Sequence, residues 1–171
     1  MLRKMVTFLL LGSLALWGGG LRLSSPAFAE GGEIPARYGC RGADVSPPLR
    51  IAGVPEGTRS LALLVEDPDA PSGLFVHWVL YDVPPGLREL PEGVPAVPEP
   101  GEGMLQGVND FGRIGYGGPC PPDRPHRYFF RLFALDNVPK LPPGASRAAL
   151  LKAMRGHILA EARLMGIYPR R

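Results

Sequence analysis

The sequence predicts an all-β protein with a minor α-helical part, and three observations support that class. Proline and glycine punctuate the chain, with 21 Pro and 23 Gly among 171 residues. Short apolar runs lie between these turn residues, and only one segment near the C-terminus has helical periodicity. Short strands separated by turns are typical of a β-sandwich with irregular loops. We therefore expect a sandwich with peripheral loops and one C-terminal helix.

The first 29 residues have the pattern of a secretory signal peptide. Arg3 and Lys4 form a basic start, residues 6–17 form an apolar run, and residues 27–29 (Ala-Phe-Ala) form a small-x-small cleavage motif. Three successive glycines interrupt the apolar run too early for a membrane span, which needs about 20 residues. We expect cleavage after Ala29 and a secreted or periplasmic mature chain without a membrane span.

Residues 30–171 are expected to form a single domain, because about 140 residues can bury a sizeable core. Loss of the signal peptide removes three basic residues and no acidic one, which leaves 16 residues of each sign. The formal charge of +3 for the full chain is therefore no evidence for nucleic-acid binding. No basic run interleaved with aromatic residues is present either, so we expect no nucleic-acid partner.

The chain contains two cysteines, Cys40 and Cys120. An even pair in an exported protein indicates a disulfide bond, and the wide spacing excludes a Cys-x-x-Cys metal or redox motif. Two buried free thiols are the alternative.

Three apolar runs are the clearest predicted strands: residues 60–66, 74–82 and 127–135. The second run is nearly continuous, and His77 is the only ionisable residue between Leu74 and Leu80, which is typical of a strand buried on both faces. Residues 90–103 contain four prolines and are predicted to form a surface loop, because proline cannot donate to a central sheet ladder.

The predicted C-terminal helix begins with a Ser146 cap and continues to Gly166. Its apolar stripe follows an approximate helical period. The stripe consists of Ala149, Leu150, Ala153, Met154, His157, Ile158 and Leu164. We expect His157 to be a packing or capping residue of this helix rather than part of a binding site.

Asp67 and Asp69 flank Pro68 at the end of the first predicted strand. The fixed φ of proline and the extended residue before it are expected to project both carboxylates to the same side. Two like charges held together disfavour joint ionisation, so a cationic or hydrogen-bonding group is expected to face them. The alternatives are a solvated turn for the two acids and a hydrogen-bonded core histidine for His77.

A second group of candidate residues lies between Gly115 and Tyr128. Gly118 and Cys120 are among the few residues there with free backbone N–H groups, and successive amides can form a nest for an anion. His126 and Tyr128 are two residues apart on the next strand and are expected to share one face. Histidines, a tyrosine hydroxyl and loop amides suit a phosphate or carboxylate.

These two stretches resemble the phosphatidylethanolamine-binding protein family, also called the Raf kinase inhibitor protein family, in its bacterial branch. The Asp-Pro-Asp-x-Pro signature of that family is met in full by residues 67–71, and its Gly-x-His-Arg signature is met in part by residues 124–127. The segments FVHWVLYDVP, NDFGRIGYGGPCPP and HRYFFRLFALD extend the likeness over the mature chain. The resemblance implies an antiparallel Greek-key β-sandwich with a C-terminal helix.

The resemblance also implies an anion pocket. Its residues would be Asp67, Asp69, Pro71, His77, Trp78, Gly118, Cys120, Pro121, His126 and Tyr128. Arg124 stands where the family signature has glycine, so the loop before His126 need not follow the family conformation, and a cation is expected near the pocket mouth.

We expect a binding protein without a cofactor or a bound metal rather than an enzyme. Its partner would be a phosphate-bearing small molecule, a phospholipid head group or a phosphorylated partner. One alternative is inhibition of a secreted hydrolase through surface loops. The other is a hydrolase that uses a metal or its His and Asp residues, although no His-Glu-x-x-His, Gly-x-Ser-x-Gly or Walker motif is present.

Overall fold

The computed structural model describes residues 19–170, so the basic start and apolar run of the predicted signal peptide lie outside the described residues. The strands are β1 (Arg22–Ser24), β2 (Leu49–Ala52), β3 (Ser60–Asp67), β4 (Phe75–Val83), β5 (Glu89–Leu90), β6 (Leu105–Gln106), β7 (His126–Leu135) and β8 (Ile158–Tyr168). Helix α1 is Arg147–Met154, and a 3-10 helix spans Ala36–Tyr38. No helix in residues 19–170 combines the length and apolar character needed to cross a membrane. The all-β class with a minor α part is confirmed.

The strands form two antiparallel sheets. The larger sheet has the order β6-β4-β3-β7-β8, and the smaller has the order β1-β2-β5. Within the larger sheet, β3, β4 and β6 follow one another, and β7 returns to lie beside β3, which is a Greek-key arrangement. This topology confirms what the family resemblance implied. The three strands predicted from apolar runs agree with β3, β4 and β7 to within one residue at each end.

Both faces of the larger sheet are covered. One face packs against the smaller sheet, where Trp78 and Leu49 are fully buried. The other face packs against α1 through Leu64 and Leu150. Strands β3 and β4 therefore need apolar residues at successive positions, which explains their nearly continuous apolar runs. The predicted loop at residues 90–103 follows β5 and carries no further strand, although Leu90 itself ends β5.

The predicted C-terminal helix is too long. Helix α1 begins where expected, because Ser146 Oγ accepts a hydrogen bond from the Ala149 N–H at 3.1 Å. It ends at Met154, and Ile158–Tyr168 then forms β8, paired with β7 along its whole length. Every second residue from Leu164 onward is buried. Pairing with β7 and burial of this face outweigh the approximate helical period of the sequence.

The folded domain includes residues before the predicted cleavage point. β1 pairs with β2, and Leu21, Leu23 and Phe28 are 9%, 7% and 7% exposed within the sandwich core. The ring of Phe28 lies 5.7 Å from that of Phe130. This differs from the expected start of the domain at residue 30, because these apolar side chains are buried against the sheets. Cleavage after Ala29 stays a prediction, and it would remove β1 from the domain.

A disulfide joins Cys40 and Cys120, whose Cα atoms are 5.3 Å apart. It confirms the predicted pairing. The bond connects the loop after the 3-10 helix to the loop before β7, and so it closes a long segment of chain. Constraining such a segment reduces the entropy of the unfolded chain.

Candidate functional site

A cavity of about 300 Å³ lies where β3 ends and where β4 and β7 begin. These strands are neighbours in the larger sheet and run antiparallel, so the end of β3 lies beside the starts of both partners. The cavity is lined by Asp67, Ala70, Pro71, Ser72, Phe75, His77, Phe111, Cys120, Pro121, Pro122, His126 and Tyr128. We call this cavity the pocket.

A buried ion pair forms one wall of the pocket. Asp67 and His126 are 3% and 1% exposed, and Asp67 Oδ2 lies 2.8 Å from His126 Nδ1. The other ring nitrogen, Nε2, lies 2.8 Å from Oδ1 of Asp123. A neutral imidazole has one N–H and can donate to only one of these two carboxylates. Hydrogen bonding to His126 lowers the pKa of the Asp123 carboxyl. The Asp67 carboxylate therefore already has a close partner within the protein.

His77 presents a neutral ring to the pocket. Its Nδ1 lies 2.6 Å from the Gly117 carbonyl oxygen, and because a carbonyl oxygen only accepts, Nδ1 donates. Burial lowers the pKa of His77, and this effect opposes the smaller ones of the Gly117 hydrogen bond and of nearby acids. With the proton on Nδ1, the Nε2 atom is an acceptor. Among the described residues, no hydrogen bond uses Nε2.

Aromatic rings surround His77. The ring centroids of Phe75, Phe111 and Tyr128 lie 5.0, 5.4 and 5.1 Å from that of His77, and the last two rings meet it edge to face. Phe111 is 41% exposed. Burial, and next the charge of Asp67, raises the pKa of the Tyr128 hydroxyl. That hydroxyl therefore stays protonated and can donate a hydrogen bond.

The loop between β6 and β7 is held against the pocket by its backbone. The Gly117 N–H donates to the His77 carbonyl oxygen at 2.9 Å, and the Gly118 N–H donates to Asp44 Oδ1 at 2.7 Å. A Cβ on Gly118 would lie 2.3 Å from that same oxygen, so the close approach requires glycine. The disulfide at Cys120 fixes the loop a few residues later.

The structure brings seven of the ten predicted pocket residues together. They are Asp67, Pro71, His77, Cys120, Pro121, His126 and Tyr128. Their role in binding a ligand stays a prediction. Among residues 19–170, no group of three or more His, Cys, Asp or Glu side chains has a geometry that could hold a metal ion.

Asp69 does not line the pocket. Its carboxylate pairs with the exposed Arg127, with Oδ2 and Oδ1 at 2.9 and 2.8 Å from Nε and Nη2. This hydrogen bonding lowers the pKa of Asp69. The expectation that both acids project to one place is wrong, because β3 ends at Asp67 and strand alternation does not continue. Asp67 Oδ1 instead accepts the Asp69 N–H at 2.8 Å, which fixes a turn.

Two other predicted residues are also outside the pocket. Trp78 is fully buried in the sandwich core and donates from Nε1 to Gln106 Oε1 at 2.6 Å. Strand alternation is interrupted between His77 and Trp78, because Val65 lies opposite Trp78 whereas the next residue, Glu66, lies opposite Val76. The amide of Gly118 already donates to Asp44, so it does not contribute to an anion nest.

Arg124 and His157 lie away from the pocket lining. Arg124 Nε is 3.9 Å from Asp123 Oδ2 in a surface ion pair, beside the carboxylate that contacts His126. His157 follows α1 and is half exposed, and its Nδ1 lies 2.7 Å from Asp136 Oδ1. The expectation that His157 lies on a helical stripe is wrong, because the helix ends before it.

Sequence reasoning missed several pocket residues. They are Ala70, Ser72, Phe75, Phe111 and Pro122, together with the supporting Asp123. Asp123 precedes His126 by three residues and could have been found from that spacing. Phe111 has no such signal. Asn109 positions it, because its Oδ1 accepts the Phe111 N–H at 3.0 Å and its Nδ2 donates to the Gly115 carbonyl at 2.9 Å.

Comparison with known proteins agrees with the motifs. Residues 24–169 match the phosphatidylethanolamine-binding protein family, and the chain therefore belongs to this family. A UPF0098 protein of Aquifex aeolicus is 52% identical over 156 residues, which is 90% of this chain and 91% of the relative. A UPF0098 protein of Methanothermobacter thermautotrophicus is 51% identical over 150 residues, which is 88% of this chain and 99% of the relative.

Two crystal structures have the same fold. A phosphatidylethanolamine-binding protein homolog from Chlamydia trachomatis has a TM-score of 0.82 and 43% identity, covering 89% of this chain and 99% of that protein. Escherichia coli YbcL, described as a new member of the mammalian family, has a TM-score of 0.80 and 31% identity, covering 88% and 99%. The family membership and the sandwich fold are thus established together.

Proposed function

We propose that the protein is a binding protein rather than an enzyme, and that its pocket binds a small phosphate-bearing anion. The observation that carries this proposal is the convergence of two histidines and the Tyr128 hydroxyl on a cavity of about 300 Å³ at one end of the sandwich. Membership of a family whose name describes the binding of a phospholipid agrees with it.

The protonation states indicate how a phosphate would sit beside Asp67. Because Asp67 Oδ2 contacts His126 Nδ1 at 2.8 Å, the anion meets a carboxylate that already has a partner within the protein. Tyr128 donates a hydrogen bond to a phosphate oxygen. His77 Nε2 accepts one, which requires a P–OH group on the ligand. The pocket therefore favours a phosphate monoanion that still carries a proton.

An apolar wall lies beside these polar groups. Its members are Pro71, Phe75, Phe111, Pro121 and Pro122. Phosphate alone leaves this wall uncovered, so the ligand has a carbon chain or ring attached to the phosphate. Both a lipid head group and a phosphorylated side chain contain this unit. The two differ in chemistry, because a lipid phosphate is a diester and a free head group or a phosphorylated side chain is a monoester.

Titration calorimetry with two ligands tests the proposal. Phosphorylethanolamine is a monoester with a second pKa near 6, whereas glycerophosphoethanolamine is a diester without an ionisable proton near neutral pH. We expect the monoester to bind more tightly as pH falls through about 6, since the protonated form can donate to His77 Nε2. Tighter binding of the diester at every pH would contradict the proposed role of His77.

Variants of the full chain complete this experiment. We expect His77→Gln to weaken monoester binding about tenfold or more and Tyr128→Phe to weaken it about twofold to tenfold, as for lost hydrogen bonds to a charged ligand. His157→Gln is the matched control, because His157 is exposed and outside the pocket. If folded His77→Gln and Tyr128→Phe proteins bind as the control does, the pocket is not the ligand site.

We also propose that the protein is exported. The signal-peptide pattern of the first residues and the Cys40–Cys120 disulfide support this, since disulfides persist in oxidising compartments. Amino-terminal sequencing of the exported protein tests it and reads the first residue. A start at or before Leu21 keeps β1 in the domain, whereas a start at Glu30 gives a domain without it. An exported chain that retains Met1 would contradict cleavage.

A further inference from the structure

One side of β8 is only partly covered by the rest of the described chain. β8 ends the larger sheet, so its backbone pairs with β7 on one side and forms a sheet edge on the other. A loop after β1 covers the second half of this edge. There the Gly31 N–H donates to the Met165 carbonyl oxygen at 2.8 Å. The Ile34 N–H donates to the Ile167 carbonyl oxygen at 2.7 Å. No described strand pairs with the edge of residues 158–163, which we call the open edge.

The backbone of the open edge has free hydrogen-bonding groups. The register between β7 and β8 is regular from Tyr168 back to Ala160. Met165 bonds to the covering loop, so its backbone groups point away from β7, and this direction alternates along an antiparallel strand. Glu161 and Arg163 therefore also direct their N–H and C=O groups away from β7. No hydrogen bond within the described chain satisfies these outward groups, so they can pair with another strand.

The side chains of the open edge limit which strand can pair with it. Glu161 and Arg163 are exposed, whereas Ala162 between them packs against the sandwich core. Ile158 and Leu159, at the start of the strand, are 46% and 44% exposed. Charged residues on an edge oppose pairing where they meet like charges and favour it where they meet opposite charges. A partner strand must therefore carry the two charges in the reverse order.

We propose that the open edge pairs with the open edge of a second copy of this chain, antiparallel and about a two-fold axis at Ala162. In this register Glu161 faces the partner's Arg163, and Arg163 faces the partner's Glu161. An axis at Glu161 or at Arg163 instead places two glutamates or two arginines directly opposite each other. Opposite charges at facing positions stabilise a sheet and like charges destabilise it, so charge complementarity selects the register.

Both charged side chains can take the new partner. Arg163 has no ion pair within the described residues, and its guanidinium lies 5.1 Å from the ring centroid of Phe129. A cation–π contact of an exposed arginine is weak, so Arg163 can leave it for a carboxylate. Glu161 accepts a hydrogen bond from Arg131 Nε at Oε1, at 2.9 Å, and its side chain is 41% exposed. Its Oε2 atom therefore stays accessible to the second copy.

The pairing is short, which predicts a weak dimer. Each facing pair exchanges two backbone hydrogen bonds, so the two pairs supply about four. The ladder ends at Met165, because Gly31 already occupies that part of the edge in each copy. The register irregularity at Leu159 bends each strand away from this loop. Small interfaces are typical of weak or transient association, so the dimer is expected to depend on protein concentration.

The open edge is independent of the pocket proposed above and of signal-peptide cleavage. None of residues 158–163 lines the pocket. All of them follow the predicted cleavage point, so the open edge is present in the full chain and in the mature chain. Failure of one proposal therefore leaves the other unaffected.

Sedimentation equilibrium with two charge-reversal variants tests the inference. We expect the parent chain to dimerise reversibly between about 10 µM and about 1 mM. Arg163→Glu and Glu161→Arg each place like charges opposite each other in a homodimer, and each is expected to weaken dimerisation about tenfold or more. An equimolar mixture of the two variants restores opposite charges at both facing positions, so it is expected to form a heterodimer. Arg59→Glu is the matched control, since Arg59 is exposed and lies outside β8.

Hydrogen exchange locates the interface in the parent chain without any substitution. The amides of Glu161 and Arg163 are expected to exchange more slowly as protein concentration rises, because dimerisation satisfies them. A parent chain that stays monomeric up to about 1 mM would overturn the inference. So would a dimer without this protection, a dimer that Arg59→Glu weakens as much as Arg163→Glu does, or a variant mixture that stays monomeric. Circular dichroism confirms that each variant is folded.

Discussion

His126 and Arg127, neighbours at the start of β7 on opposite faces of the strand, have different electrostatic surroundings. On the inner face, His126 is 1% exposed and lies between two carboxylates, so each of its ring nitrogens has an acidic partner. On the outer face, Arg127 is exposed and pairs with Asp69 at the surface. Asp67 and Asp69 are two residues apart, yet they serve different faces. Desolvation makes close partners necessary for the buried His126, while solvent screens the Arg127–Asp69 pair.

The largest expected effect on stability comes from breaking the buried Asp67–His126 contact. Asp67→Ala removes one of the two carboxylates that contact His126. The His126 ring then stays buried without its Asp67 partner. We expect the free energy of unfolding to fall by about 3–5 kcal/mol in urea denaturation. Asp69→Ala is the control on the outer face and is expected to cost about 1 kcal/mol or less. Equal losses for the two substitutions would break the comparison between the faces.

Removing the disulfide is expected to be the next largest change. In the chain-entropy account, replacing Cys40 and Cys120 together by serine costs up to about 4.5 kcal/mol, and native strain or residual structure reduces that figure. Denaturation of the oxidised parent and the double variant measures the difference. The variant is also expected to bind phosphorylethanolamine more weakly, because Cys120 lines the pocket. Unchanged stability and affinity would show that the pocket loop is held without the bond.

The neutral state of His77 predicts an acid-sensitive fold. Burial lowers its pKa, although Asp67, Asp44 and Asp110 oppose this effect. The unfolded chain, with a His pKa near 6.5, therefore binds more protons below that pH. The free energy of unfolding should fall as pH drops through about 6.5, by at most about 1.4 kcal/mol per pH unit for this group. His77→Gln is expected to remove that contribution, and an unchanged pH slope in the variant would contradict a neutral His77.

The smallest expected effect belongs to the outer ion pair. Arg127→Gln is expected to cost about 0.2–1 kcal/mol, and this cost should shrink in 1 M salt because exposed charges are screened. Denaturation at low and high salt measures it. Phosphorylethanolamine affinity is expected to stay the same, since Arg127 does not line the pocket. A loss that persists in 1 M salt would mean that solvent does not screen the Arg127–Asp69 pair.

The same comparison also explains which parts of the structure could be predicted from the sequence. Continuous apolar runs identified β3, β4 and β7, because burial on both faces requires them. The motif residues Asp67, His77 and His126 were found because their types suit the chemistry of a pocket. Asp69 was misplaced because the strand ends between the two acids, and a local turn changes the direction of a side chain without any periodic signal.

The ends of the chain were harder to predict for a different reason. Residues 147–166 have an approximate helical stripe, but half of them pair with β7, and a long-range partner cannot be read from local periodicity. Residues 21–28 look like the end of a signal peptide, yet they fill the core between the sheets.

Electron density for a phosphate monoester in the pocket would test the central claim most directly. Crystals grown with phosphorylethanolamine near pH 6 are expected to show a tetrahedral group within hydrogen-bonding distance of His77 Nε2 and the Tyr128 hydroxyl, with its carbon chain against Phe75 and Phe111. A fully occupied ligand elsewhere on the protein, with solvent alone in the pocket, would contradict the account.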